Sequence, residues 1–147
     1  MLSRILLAAP HSRAVATHQA FLTRLGYDVA VCGDGLRCIE RLRKDRPDVL
    51  ILALDLPWGR GEGVLALMAD GELPSVPVVL LADSAHPLRL AGAVQAPVRT
   101  FLPWPAPPRL LGQAVRGVLS AEPVGHFTPE TEARADEWSA RPTQSWP

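Results

Sequence analysis

Five short apolar runs separated by amphipathic stretches constrain this chain more than any other feature. They are Ile5-Leu6-Leu7-Ala8-Ala9, Val29-Ala30-Val31-Cys32, Val49-Leu50-Ile51-Leu52-Ala53-Leu54, Val78-Val79-Leu80-Leu81-Ala82 and Val98-Arg99-Thr100-Phe101-Leu102. The first, third and fourth are apolar throughout, as strands covered on both faces require, which predicts them at the centre of a parallel sheet. Between the first two runs, Ala14, Val15, His18, Phe21, Leu22 and Leu25 recur at three-to-four spacing and stop at Gly26, predicting a helix with a glycine C-cap. Cys38, Ile39 and Leu42 predict a second helix whose other face is Arg37, Arg41 and Lys44. Val64, Leu65, Leu67 and Met68 predict a third, Leu88 to Val94 a short fourth, and Leu110, Leu111, Ala114, Val115, Val118 and Leu119 a fifth. Right-handed crossovers leave such a βαβαβαβαβα chain few arrangements besides a doubly wound α/β sandwich.

The 147 residues suit one hydrophobic core, and 48% apolar with 20% charged residues is a composition that folds. Formal net charge is zero, so no overall field draws the chain to nucleic acid or anionic lipid, and neither is expected as a partner. No apolar run approaches the ~18 residues of a membrane span, and the start of the chain is too short for a signal h-region, so a cytoplasmic location is expected. Residues 1–120 carry 13 basic and 10 acidic side chains, net +3, and form the predicted domain. Residues 121–147 carry 2 basic and 5 acidic, net −3, with four prolines and few aliphatics. They read as a partly disordered acidic tail, with one short helix from Pro129 to Trp138.

Cys32 and Cys38 are too few for a disulfide scaffold and read as small buried hydrophobes. His11, His18, His86 and His126 show no metal-ligand spacing, so neither metal nor cofactor is expected. Gly59-Arg60-Gly61-Glu62-Gly63 resembles a phosphate-cradling loop but follows the third run rather than the first, and is expected to be a flexible loop. The basic stripe of the second helix lacks interleaved aromatics and reads as a solvated face. Trp58 and Trp104 fall in loops at one end of the sheet, each as a packed plug or a displayed anchor.

Several local motifs together are similar to those of a response-regulator receiver domain over about residues 3–120. They are Arg4-Ile5-Leu6-Leu7, Leu25-Gly26-Tyr27-Asp28-Val29, Asp34-Gly35, Arg46-Pro47-Asp48-Val49, Leu56-Pro57 with Gly61, Pro77-Val78-Val79, and Phe101-Leu102-Pro103-Trp104-Pro105. The resemblance implies a flavodoxin-like (βα)5 fold with strand order 2-1-3-4-5. It also implies a site at the carboxyl ends of the strands, built from an acidic pair, an acceptor aspartate, a hydroxyl and a lysine. Carboxylates would hold Mg²⁺ and the ammonium would bind phosphoryl oxygens. At the matching positions this chain has Ala9 and Pro10, Ala53, Ala82, and Trp104. The register is fixed by Leu56-Pro57, because moving Asp55 into the acceptor position requires a two-residue slip.

The expectation is therefore a degenerate, phosphorylation-independent receiver with no catalytic residue, working as a protein-interaction module in bacterial signalling. Because no helix-turn-helix module follows, it is expected to act by contact. The resemblance implies a partner surface, including a homodimer contact, on the face of the fourth helix, fifth strand and fifth helix, carrying Arg89, Arg99, Phe101, Arg109 and Arg116. Phe101 matches the receivers' aromatic switch position, but its hydroxyl partner is replaced by Ala82. The alternative is a small-molecule or anion sensor in the vacated pocket, lined by His11, Asp55, Trp58, Asp83 and Trp104, with Trp104 filling the space of the lysine and phosphate.

Overall fold

The computed structural model describes residues 2–58, 60–82 and 98–120. The chain runs β1 (Arg4–Ala8), α1 (Arg13–Arg24), β2 (Asp28–Cys32), α2 (Gly35–Lys44), β3 (Val49–Ala53), α3 (Arg60–Ala69), β4 (Val78–Ala82), β5 (Val98–Pro103) and α4 (Pro108–Ser120). Here α4 is the helix expected as the fifth. The short helix expected around Leu88 to Val94 and the tail of residues 121–147 lie outside the described residues. The strands form one sheet in the order β2-β1-β3-β4-β5 with every neighbouring pair parallel, the flavodoxin-like order.

Side chains alternate between the two faces of the sheet. Leu6, Ala8, Leu50, Leu52, Val78 and Leu80 meet Cys38, Leu42, Val64, Leu65 and Met68 of α2 and α3. Ile5, Leu7, Val49, Ile51, Val79 and Leu81 meet Val15, Leu22, Leu111 and Val115 of α1 and α4. All five residues of β3 and of β4 are buried, as expected of a doubly covered strand, and each fully buried large aliphatic contributes about 1.5–3 kcal/mol. Cys32 and Cys38 are free thiols inside the first of these cores.

Helix ends follow their local chemistry. The Ser12 hydroxyl accepts from the Val15 amide at 3.2 Å to start α1, and the Asp34 carboxylate accepts from the Arg37 amide at 2.8 Å to start α2. Gly26, at φ 99°, ends α1 in the left-handed conformation that glycine adopts without strain. The basic face of α2 is solvated and engaged in exposed pairs: Arg37 with Asp34, Arg41 with Asp45, and Lys44 with Glu40. Pairs of this kind contribute roughly 0–1 kcal/mol each.

One expectation is corrected. Gly61 and Gly63 belong to α3 rather than to a flexible loop. The reason is close packing: a Cβ on Gly61 would lie 2.6 Å from the Ala53 carbonyl oxygen and 2.9 Å from the Leu54 Cα. Only glycine lets the first turn of α3 sit on the end of β3, where the Gly61 amide donates to the Leu54 carbonyl at 3.2 Å. Gly63 has nothing within 4 Å of its would-be Cβ. We expect Gly61→Ala to lower stability by about 1–3 kcal/mol through overpacking. Gly63→Ala should raise it by up to about 1 kcal/mol through helix propensity. Urea midpoints of the two variants against wild type check this pair of opposite signs.

Candidate functional site at the carboxyl ends of the strands

Parallel strands bring their carboxyl ends to one edge of the sheet. The Ala9 amide donates to the Cys32 carbonyl at 3.1 Å, the Leu54 amide to the Leu81 carbonyl at 2.9 Å, and the Trp104 amide to the Ala82 carbonyl at 3.2 Å. These bonds carry the parallel pairing slightly past β1, β3 and β4 and hold the strand ends level. The Trp104–Pro105 peptide is cis.

Pro10, Ala53, Asp55, Leu81, Ala82 and Trp104 line a cavity of about 300 Å³ at this edge. Ala53 and Ala82 are buried and form its floor, while Asp55 is exposed at its rim. Trp104 is half-buried and bounds the cavity. Ala9 is fully buried in the core beneath α1 and α4.

His11 and Trp58, also expected to line the pocket, are not part of this lining. The His11 ring packs over Gly33, occupying the space a Cβ there would need, and does not line the cavity. Trp58 is 74% exposed with φ 54°, and it too stands outside the lining. Asp83 and Arg89 lie outside the described residues. Arg99, Arg109 and Arg116 are exposed on β5 and α4, whereas Phe101 is half-buried against the core under α2 and α3.

Receivers bind Mg²⁺ through clustered carboxylates, and the residues present do not fit that ion. Among the described residues Asp55 is the single carboxylate of the cavity lining, and no group of three His, Cys, Asp or Glu side chains is placed to hold a metal. A hard dication takes six or more oxygens, usually with several carboxylates to balance its charge.

Behind Trp104 lies a residue the sequence placed on the buried face of α1 without assigning it to the site. His18 is 2% exposed, and its ring centroid lies 5.1 Å from that of Trp104 at a tilt of 52°. Neither ring nitrogen has a hydrogen-bond partner among the described residues. Burial pushes the His18 imidazole below its ordinary value, opposed by the Ala106 backbone. The apolar spacing Val15-His18-Leu22 signals the burial, but nothing in the sequence signals that Trp104, 86 positions away, is the neighbour.

This buried imidazole couples stability to pH. The folded state favours the neutral ring, so the unfolded chain takes up the proton first as pH falls below the ordinary value of 6.5. Stability is then fully present above that pH and declines below it. Urea midpoints measured between pH 7.5 and 5.5 are expected to fall in wild type, and to fall less in His18→Phe.

A five-stranded parallel α/β domain in this strand order, with its cavity where the strands end, belongs to the class of doubly wound domains that place ligand sites at that edge. Residues 5–116 match the response regulator receiver domain family, and the chain belongs to it. It is 32% identical over 95 residues to the DNA-binding response regulator MtrA of Mycolicibacterium paratuberculosis, covering 64% of this chain and 41% of that protein. It is 30% identical over 101 residues to the transcriptional regulatory protein CseB of Streptomyces coelicolor, covering 69% of this chain and 42% of that protein. Among solved structures it resembles a CheY-like receiver domain protein of Methanospirillum hungatei, at 18% identity and a TM-score of 0.73, over 81% of this chain and 94% of that one. Receiver domains are in general non-enzymatic modules of two-component signalling.

These relatives correct the expectation that nucleic acid plays no part. MtrA is a DNA-binding regulator, and the chain spans about two fifths of its length. The net charge of a chain that spans about two fifths of such a regulator does not decide whether nucleic acid is a partner, which is why neutrality misled. Among the described residues no helix is long and apolar enough to cross a membrane.

Proposed function

We propose that this chain is a phosphorylation-independent pseudo-receiver: a cytoplasmic, non-enzymatic module that works by protein contact in bacterial signal transduction. Its similarity to DNA-binding regulators suggests transcriptional control as the setting. The observation that carries the reading is the lining of the cavity. Ala53 ends β3 and Ala82 ends β4, with Pro10 and Trp104 beside them. On this reading they stand, with Ala9, where phosphorylating receivers have their acidic pair, acceptor, hydroxyl and lysine.

Phosphoryl transfer to a protein carboxylate requires the nucleophile in line with the phosphoryl group and positive charge to stabilise the transferring oxygens. Among the described residues of the lining Asp55 is the one nucleophile, and the lining they form includes neither lysine nor arginine. The coupling of the site to a surface is also altered. Phe101 has Ala82 in place of a hydroxyl partner, so no hydrogen bond to a phosphoryl-bound hydroxyl draws the ring inward.

Intact-mass measurement of the full chain after incubation with a small acyl phosphate and Mg²⁺ tests the reading. Unmodified protein is expected. A phosphoryl adduct mapped to Asp55 overturns it.

A further inference from the structure

We propose that the cavity at the strand ends is a binding site for a small neutral aromatic molecule, its ring packed on Trp104 and seated over the floor of Ala53 and Ala82. This rests on the pseudo-receiver reading, because a site that still performed phosphoryl chemistry would be committed to charged groups.

The lining selects the ligand by polarity. Pro10, Ala53, Leu81, Ala82 and Trp104 present hydrocarbon and indole. The backbone carbonyls among them are already paired. The Ala53 carbonyl accepts from the Leu56 amide at 3.3 Å, the Leu81 carbonyl from the Leu54 amide at 2.9 Å, and the Ala82 carbonyl from the Trp104 amide at 3.2 Å. Asp55 stands exposed at the rim and is engaged in an interaction of its own. A charged ligand seated on this floor would exchange its water for carbon and for carbonyls that already have donors. A neutral, largely apolar molecule loses little hydration and releases the water that covers the alanines.

Size and shape narrow the class further. At about 300 Å³ the cavity sits at the lower end of ligand pockets, roughly 300–1,000 Å³, which limits the occupant to a small ring system. The half-buried Trp104 is held by its amide bond to Ala82 and by contact with the buried His18 ring, 5.1 Å away between centroids. An indole fixed in advance loses little freedom when a ligand arrives. It favours a flat ring, which packs against it offset or edge-on. The space exists because residues as small as alanine end β3 and β4, and apolar cavities in proteins take up small aromatic molecules.

Fluorine NMR titration of the full chain with 4-fluoroanisole, 4-fluorobenzoate and 4-fluorobenzylammonium keeps ring and size nearly constant and varies charge. The neutral ether is expected to bind saturably, and the two ions roughly tenfold more weakly or worse. The indole N–H resonance of Trp104, assigned by its loss in Trp104→Leu, should shift along the same isotherm. Trp104→Leu should weaken the ether by roughly two- to tenfold. Ala82→Leu, which places a larger side chain in the cavity, should remove binding. Trp58→Leu should leave it unchanged, because Trp58 is exposed and outside the lining, which separates this site from adhesion to a surface tryptophan. Saturation and charge preference are read on the wild-type chain, so the test stands even if a variant fails to fold. Absence of saturable binding, an ion bound as tightly as the ether, an unshifted Trp104 resonance, unchanged affinity in folded Ala82→Leu, or binding lost in Trp58→Leu overturns the proposal. Any of these with unmodified protein in the mass measurement removes the aromatic site alone, whereas a phosphoryl adduct on Asp55 removes the pseudo-receiver reading with it.

Discussion

The parallel pairing of β1, β3 and β4 is the constraint on which everything else depends. Their registers place Ala8 opposite Leu52, and Ala53 opposite Leu81, so the three strands leave the core at nearly one level. Both faces of the sheet are covered by helices, which leaves that edge as the place where side chains of all three strands meet solvent together. A site built from the ends of these three strands is assembled there, and the cavity lined by Pro10, Ala53, Ala82 and Trp104 lies there.

The scaffold around the edge is preserved although the lining is almost without charge. Gly61 still lets α3 approach the end of β3, and the Gly35 amide donates to the Pro57 carbonyl at 2.7 Å, tying the β3–α3 loop to the start of α2. On the proposed pseudo-receiver reading, alanine, proline and tryptophan in place of acids, a hydroxyl and a lysine remove mutual repulsion among buried like charges and their desolvation cost. Stability and chemistry therefore separate at this edge. The backbone is held by glycine contacts and ladder bonds, so the chemistry of the lining can change without loss of the frame.

Most of the architecture was legible because its determinants are local. Unbroken apolar runs marked β1, β3 and β4, and Gly26 marked the end of α1. The alanines at the strand ends were legible for the same reason, since Leu56-Pro57 fixes the register of the third strand. What escaped depends on contacts between distant segments. His18 and Trp104 are each readable as apolar-face and loop residues, but their ring contact exists only once α1 crosses behind the turn after β5. Gly61 and Gly63 look alike in sequence, and only the approach of the Ala53 carbonyl separates a required glycine from a dispensable one. His11 follows the first strand as a site residue would, yet the bare backbone of Gly33 gives its ring a neighbour outside the cavity.

A receiver without its phosphoryl chemistry still needs something to act on it if it is to carry a signal. A ligand shifts a conformational equilibrium only through different affinities for the two states. In phosphorylated receivers the covalent charge supplies that difference through a hydroxyl and a lysine. On the proposed pseudo-receiver reading Ala82 and Trp104 stand in those places, and added negative charge would find neither a hydroxyl nor an ammonium there. The surface around Phe101 and β5 then responds to whatever occupies the cavity next to Trp104, or it holds one arrangement and signals by its presence alone. The two cases differ in where the information lies. In the first it is the occupancy of that cavity; in the second it is the concentration of the protein itself, read by its partner.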